Sequence, residues 1–262
     1  MRRYFRLQWL ALRVGVMSEL QYRVNFYVQI VQSVFSLVTG VAGLGLIFSH
    51  TTTLEGWRAS ELLAVLGVYL LLGGVINSVI RPNLQRLMDD VREGTLDFVL
   101  TKPEDAQLLI STRRVEIWRI ADVVIGAAVI GVAFWQLGAV VGTVQALVFA
   151  ITLLAGALVI YSFLLLLATC SFWFIKIQNI MIIFDGVYEA GRWPVGIYPG
   201  WLRSVLTLLV PIAFAVTVPA EALAGRLNGY TLLGSLALTV TLLVGSRWFW
   251  LQGVRQYSGA SA

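Results

Sequence analysis

Long apolar runs with few charged side chains alternate with short polar stretches along most of the chain. Five runs are long enough, at about 20 residues, to cross a bilayer as a helix. They lie at residues 26–48, 62–80, 120–140, 146–173 and 231–251. A sixth apolar stretch, 177–196, is more polar than the others. The pattern predicts an all-α polytopic membrane protein with six transmembrane helices.

The chain before the first run has a different pattern. Apolar residues recur at helical spacing from Phe5 to Leu20, and Arg6 and Arg13 lie beside that stripe. An apolar stripe flanked by arginines is typical of a helix that lies in the membrane interface. We therefore predict an interfacial helix over residues 1–25, ahead of a first span that is not removed as a signal peptide.

Residues 81–119 form a charged segment between the second and third spans. They hold seven of the nineteen Lys and Arg residues and seven of the fourteen Asp and Glu residues. We predict that Arg81 and Pro82 end the second span, because proline cannot continue the helical hydrogen-bond ladder cheaply. A short amphipathic helix is predicted over 84–93, with Gly94 as its C-terminal cap. A second helix is predicted to begin after Pro103 and to run into the third span.

Two topologies fit residues 177–226. In the first, 177–196 crosses the membrane and 197–226 forms a proline-broken, re-entrant extracellular hairpin. In the second, 177–202 stays in the cytosol and 202–223 crosses. Both place the two termini on the cytosolic side. The excess of basic residues expected in cytoplasmic loops slightly favours the second topology.

Composition excludes several classes of function. Only 13% of the residues are charged and 58% are hydrophobic, so no large soluble domain is present. The net charge of +5 is explained by basic cytoplasmic loops and does not indicate nucleic-acid binding. One Cys and one His cannot form a Cys-rich or His-rich metal centre. The chain also lacks the glycine-rich lysine motif that holds nucleotide phosphates.

Two segments resemble those of a known family. Residues 93–97 (EGTLD) and 100–103 (LTKP) resemble the signature that follows the coupling helix in the membrane subunits of ABC type-2 exporters. Residues 194–202 (PVGIYPGWL) resemble the proline-rich extracellular hairpin between spans five and six of those permeases. The resemblance of residues 194–202 to that hairpin favours the first topology, in which 177–196 crosses the membrane. In length, the chain is similar to the compact subgroup of about 260 residues.

The resemblance implies a function and a set of partners. The chain would be the non-ATPase permease subunit of an exporter in a bacterial-type inner membrane. It would form the translocation path with a second permease, either a second copy or a homologue. A cytosolic ABC ATPase dimer would bind ATP and Mg, so this chain itself would need no cofactor. The cargo would be a lipid, a glycolipid or an amphipathic small molecule.

Two groups of residues are candidates for that function. The predicted amphipathic helix and the motif after it would dock on the ATPase. This coupling group consists of Leu84, Arg86, Leu87, Met88, Asp89, Asp90, Arg92, Glu93, Gly94 and Asp97. A second group, Asp185, Glu189 and Arg192, has the i, i+4, i+7 spacing of one helix face. Charges at membrane depth usually face a cavity or each other, so this group indicates either a translocation path or interface, or a local Glu189–Arg192 ion pair.

Two rival functions belong to other classes. A membrane scaffold or assembly subunit would have no transport path. An ion-coupled carrier could use Asp122, Asp185 and Glu189, but such carriers are typically built from inverted repeats, and the sequence shows none.

Overall fold

A computed structural model describes residues 23–138, 142–174 and 179–257, which form helices joined by turns and short loops, with no β-strand among them. Most of the predicted interfacial helix, 1–25, lies outside this part of the chain. The α-helices are α1 (Arg23–Phe48), α2 (Ala59–Val75), α3 (Arg81–Glu93), α4 (Asp97–Leu100), α5 (Ala106–Ser111), α6 (Ile120–Leu137), α7 (Thr143–Thr169), α8 (Ile180–Tyr188), α9 (Gly200–Ser204), α10 (Val218–Leu223) and α11 (Gly229–Gln256).

The described helices confirm the predicted fold class. Five helical stretches are long and apolar enough to cross a membrane, and a bent pair adds a sixth candidate. The five are Tyr27–Phe48, Ala59–Glu93, Ile117–Leu137, Thr143–Phe172 and Gly229–Gln256, and the pair is Gly200–Leu209 with Ala213–Leu223, bent by 81°. The protein is therefore an all-α polytopic membrane protein.

The second helix does not end at Arg81 and Pro82, so that part of the sequence prediction is wrong. A π-helical turn over Ile76–Ile80 joins α2 to α3, and the helix runs for 35 residues. Pro82 cannot bond to the carbonyl of Ser78 four residues earlier. That carbonyl instead accepts the backbone N–H of Glu116 at 2.8 Å. A contact from outside the helix thus replaces the missing bond, and the helix continues.

The charged segment folds back against this helix. Gly94 ends α3 with φ of 70°, as predicted for a left-handed cap. Asp105 caps the N-terminus of α5 by accepting the backbone N–H of Leu108. The helix after Pro103 does not run into the third span, contrary to prediction, because α5 ends at Ser111. A separate 3₁₀ turn, Ile117–Arg119, leads into α6.

Helices α2 and α6 pack with their backbones in contact. A Cβ atom added to Gly126 in α6 would lie 2.3 Å from the backbone nitrogen of Leu71 in α2. One added to Gly74 in α2 would lie 2.6 Å from the backbone nitrogen of Val123. Glycine permits this approach because it has no side chain, as is common where membrane helices pack. The second helix is thereby held at the centre of the fold.

Two ion pairs show how the chain passes between the ends of the bundle. Asp185 in α8 pairs with Arg81, where α2 gives way to the charged segment. Arg226 pairs with Glu61 at 2.9 Å, in the first turn of α2 at the opposite end. The chain therefore changes ends between residues 185 and 226. Both ends of the described chain lie at the end of the bundle that carries the charged segment.

The predicted boundary of the fifth span, 177–196, remains a prediction. Of this range the structure describes residues 179–196, which form α8 and two 3₁₀ turns, Glu189–Arg192 and Val195–Ile197. Nine residues of α-helix rise only about 14 Å, less than half of a bilayer core. The bent pair continues from there, and a re-entrant hairpin and a broken span both fit its geometry.

Candidate functional site

A buried carboxylate organises the charged segment. Asp90 is 2% exposed, although it belongs to the charged side of α3. Its Oδ1 accepts from Arg86 at 3.0 Å and from the Thr95 hydroxyl at 3.2 Å, and its Oδ2 accepts from Arg113 at 2.7 Å. Buried charges require this degree of pairing. Asp90 thereby connects α3 to the turn after it and to the irregular stretch of chain that leads to α6.

Asn83 makes a second connection from α3. Its side-chain amide donates to the carbonyls of Val79 and Arg114, both at 2.7 Å. Its side-chain oxygen accepts the backbone N–H of Arg114 at 2.9 Å. Together with the bond from Glu116 to Ser78, these contacts fix the chain before the third span against the second helix.

The segment is also bound to the fourth and last long helices. Arg247 in α11 donates to both carboxylate oxygens of Asp105, at 3.1 and 2.5 Å, and to Gln107 at 2.8 Å. This hydrogen bonding holds the pKa of Asp105 below its ordinary value. Gln107 and Ser111 contact the Tyr161 hydroxyl on α7 at 3.1 and 2.7 Å. The charged segment therefore touches three of the long helices.

The structure divides the predicted coupling residues into two sets. Leu84 and Leu87 are fully buried and Met88 is 3% exposed, all within this chain's own core. With Asp90 also buried, these four side chains cannot enter a groove on a partner. The more accessible set is Arg86, Asp89, Arg92, Glu93, Gly94 and Asp97. The apolar face of the predicted amphipathic helix thus holds the segment in place, and its remaining charged side chains are accessible.

Two exposed apolar side chains on this segment were not predicted as site residues. Phe98 in α4 is 76% exposed and Leu108 in α5 is 54% exposed. Their two short helices pack against each other. Phe98 directly follows the EGTLD motif, and its neighbours Leu96 and Val99 are buried. The sequence offered no signal that separates Phe98 from these neighbours, because all three are apolar and the fold decides which of them is buried.

A polar cavity of about 310 Å³ lies between α1, α2, α6 and α8. It is near the end of the bundle that carries the charged segment. Its lining consists of Gln29, Gln32, Ser33, Ser36, Tyr69, Leu70, Gly73, Gly74, Asn77, Arg81, Arg119, Asp122, Asp185, Tyr188 and Glu189. Most of these side chains carry hydroxyl, amide or charged groups, which is unusual between membrane helices.

The second group of candidate residues lies partly in this cavity. Asp185 and Glu189 line it, whereas Arg192 does not. Asp185 pairs with Arg81, and Arg192 pairs with Glu189 at 3.3 Å while lying over the Tyr69 ring at 5.5 Å. The helix becomes a 3₁₀ turn at Glu189, so the predicted single helix face is interrupted there. The local Glu189–Arg192 ion pair is present, and a role in a path stays a prediction.

Asp122 occupies the opposite wall, in the first turn of α6. Its Oδ1 accepts from the Ser33 hydroxyl, and its Oδ2 accepts from the Gln29 amide at 3.0 Å. The sequence prediction considered Asp122 for a carrier and missed Gln29 and Ser33. The signal that could have revealed them was the helical spacing of the polar residues Gln29, Gln32, Ser33 and Ser36 along the first span. No group of His, Cys, Asp and Glu in the described residues could hold a metal ion.

The fold and the charged segment bound to it define an all-α polytopic membrane protein with a compact polar segment at one end of its helices. Residues 34–261 match the family described as ABC-2 family transporter protein, so the chain belongs to that family. No curated protein and no solved structure matches the chain. The protein is a permease subunit of an ABC transporter. It is not itself an enzyme, and its ATPase is a separate partner chain. Membership of this family favours the permease function over the membrane scaffold and the ion-coupled carrier.

Proposed function

We propose that this permease dimerises, with itself or a homologue, to export an amphipathic cargo across a bacterial-type inner membrane. A cytosolic ATPase dimer, holding ATP and Mg, would dock on the charged segment. Both ends of the described chain would then face the cytosol with that segment. The basic residues it carries support this orientation, because Lys and Arg are enriched in cytoplasmic loops.

The observation that carries the docking proposal is the exposure of Phe98. Phe98 is 76% exposed on the charged segment, outside the long helices, where its ring is available as an anchor for a partner. Leu108 is exposed on the short helix that packs against that of Phe98, and Arg86, Lys102 and Glu93 are exposed on the same segment. An aromatic anchor within a charged rim is the composition of a binding hot spot. We call Phe98 and Leu108 the docking patch.

The contacts behind the docking patch would carry motion into the membrane. The second helix runs unbroken from the membrane to Glu93, a length of about 52 Å at 1.5 Å per residue. Asp90 joins its end to Arg113, and Arg247 joins α5 to α11. Closure of the ATPase dimer would therefore displace the second, third and sixth spans together.

The test is co-purification of the permease with a candidate ABC ATPase, followed by a titration of their affinity in detergent. We expect Phe98→Ala to weaken binding by about thirtyfold, the effect of losing a hot-spot side chain of about 2 kcal/mol. Tyr230→Ala is the matched control. Tyr230 is an 85% exposed aromatic at the start of α11, at the opposite end of the molecule.

Thermal melting of each purified variant would establish that the fold is retained. Lys102→Glu would provide a second variant on the same segment, expected to slow association as a charge is reversed at an interface rim. Equal affinities for wild type and Phe98→Ala would overturn the docking patch. Binding that falls equally in Tyr230→Ala would show that the loss is not specific to this segment.

A further inference from the structure

The end of the last helix packs on an aromatic ring at the end of α7. Trp250 is 2% exposed, and Tyr257 follows it by seven residues, which places both on the same side of α11. Both rings meet Phe172 in an edge-to-face arrangement, with centroid distances of 5.6 and 6.0 Å. Aromatic pairs favour this geometry. Phe172 therefore holds the ring of Tyr257 at the point where α11 ends.

The backbone of α11 lies directly on the same ring. A Cβ atom added to Gly253 would be 2.5 Å from the ring of Phe172 and 2.9 Å from the side chain of Thr169. Glycine permits this approach because it has no side chain. The two spans thus pack closely just before α11 ends, and Tyr257 has little freedom to shift relative to either of them.

The hydroxyl of Tyr257 reaches the charged segment. It is buried without a completed hydrogen bond to any described residue, and it lies beside the backbone amides of Leu96 and Asp97, at the start of α4. Burial raises the pKa of Tyr257 above its ordinary value, the Asp97 carboxylate raises it further, and the two amides partly offset the rise. The side chain therefore contacts α4 in its uncharged form.

Helix α4 depends on such contacts for its orientation. It has only four residues, too few to be stable alone. Leu96 and Val99 are buried on one side, and Phe98 between them is 76% exposed. A rotation of this short helix would therefore change the direction in which the ring of Phe98 is presented.

We propose that Tyr257 is a positioning residue for the docking patch, held by Phe172 and packed against the start of α4. It would set the orientation in which Phe98 meets the ATPase, and it would connect that orientation to the fourth and last long helices. The inference rests on the proposed function for the role of Phe98, but the contact between Tyr257 and α4 is a property of the permease alone.

The first measurement is the affinity for the ATPase used in the docking titration, in a double-mutant cycle of Tyr257→Ala and Phe98→Ala. We expect Tyr257→Ala to weaken binding about tenfold, because Phe98 would no longer be held in its binding orientation. In the double variant the loss should stay at about thirtyfold, as in Phe98→Ala alone. A residue that acts only through Phe98 has no effect once that ring is removed.

Two further variants serve as controls. Tyr257→Phe keeps the ring against Phe172 and should bind within about threefold of wild type. Gln256→Ala changes the exposed neighbouring residue and should bind like wild type. Losses that multiply in the double variant would overturn the positioning role, as would wild-type affinity in Tyr257→Ala.

Hydrogen exchange of the purified permease in detergent tests the contact without the ATPase. Exchange at residues 95–100 should be faster in Tyr257→Ala than in Gln256→Ala, whereas exchange at residues 62–72, most of them buried in α2, should be the same in both. The two possible failures are thereby distinguishable. Wild-type affinity in Phe98→Ala would overturn the docking patch on which the role in binding rests, whereas equal exchange at residues 95–100 would overturn the contact itself.

Discussion

At the scale of single residues, the contacts around Pro82 explain how a proline is accommodated in a helix that remains continuous. Pro82 leaves the carbonyl of Ser78 without its helical donor, and the backbone of Glu116 supplies one. Asn83, the next residue, accepts from Arg114 and donates to it. The site of the missing helical hydrogen bond therefore becomes the point where the chain around Arg114, 31 residues from Asn83, attaches to the second helix.

Replacing Asn83 by alanine should detach that segment. The change removes three hydrogen bonds and leaves backbone groups of Val79 and Arg114 without these partners. Each such hydrogen bond contributes about 0.5 to 1.5 kcal/mol. We expect a lower melting temperature in detergent, and faster amide hydrogen exchange at residues 113–116.

Gln85→Ala is the control for this substitution, because Gln85 lies on the same helix and makes none of these bonds. If Asn83→Ala melts at the same temperature as Gln85→Ala, the attachment contributes nothing measurable to stability.

Residue-scale features were predicted from the sequence where the cause was local. Gly94 was predicted as a helix cap, and its φ of 70° confirms it, because capping depends on neighbouring residues. The continuation of the helix through Pro82 was not predictable. It depends on Glu116, a residue distant in sequence whose N–H reaches Ser78 only in the folded chain. The burial of Asp90 has the same origin, since Arg113 pairs with it from the far side of the segment.

At the scale of helices, the contact between α2 and α6 controls how the bundle moves. Backbones in direct contact cannot separate or slide without losing many atomic contacts at once. A displacement of the second helix should therefore carry the third span with it. The sequence could not show that Gly74 faces Val123 and that Gly126 faces Leu71, because the register between two helices is set only in the folded chain.

Gly126→Ala should destabilise the protein. The added methyl group would meet the backbone of Leu71 at 2.3 to 2.6 Å, and a backbone cannot rotate away as a side chain can. Overpacking of this kind costs about 1 to 3 kcal/mol. We expect a lower melting temperature in detergent and a loss of ATPase stimulation in the reconstituted complex.

Gly131→Ala provides a close comparison on the same helix. A Cβ atom at Gly131 would meet nothing within 4 Å, so alanine there should be neutral or slightly stabilising through its higher helix propensity. Equal melting temperatures for the two variants would show that the helices can move apart at little cost.

At the scale of the whole molecule, the path of residues 179–226 determines how the chain crosses from one end of the bundle to the other. Arg226 donates to the carbonyl of Gly56 and to Glu61, and its guanidinium lies 4.7 Å from the centre of the Trp57 ring. The chain therefore reaches the end of the bundle opposite the charged segment by residue 226. The sequence predicted this change of ends, but it could not show whether α8 or the bent pair completes the crossing.

Cysteine labelling in intact cells should distinguish the two topologies. Cys170 is the only cysteine in the chain, so a Cys170→Ser background accepts single cysteines at Thr52, Thr101 and Ser204, which are all exposed. With a membrane-impermeant maleimide, we expect labelling at position 52 and none at position 101 until the cells are opened.

The re-entrant extracellular hairpin predicts that position 204 is labelled like position 52, because α9 would then be exposed on the outer side of the membrane. Labelling at position 204 only after lysis would instead place α9 on the cytosolic side and assign the crossing to the bent pair. The polar cavity would keep its lining in either case, since Asp185 is held by Arg81.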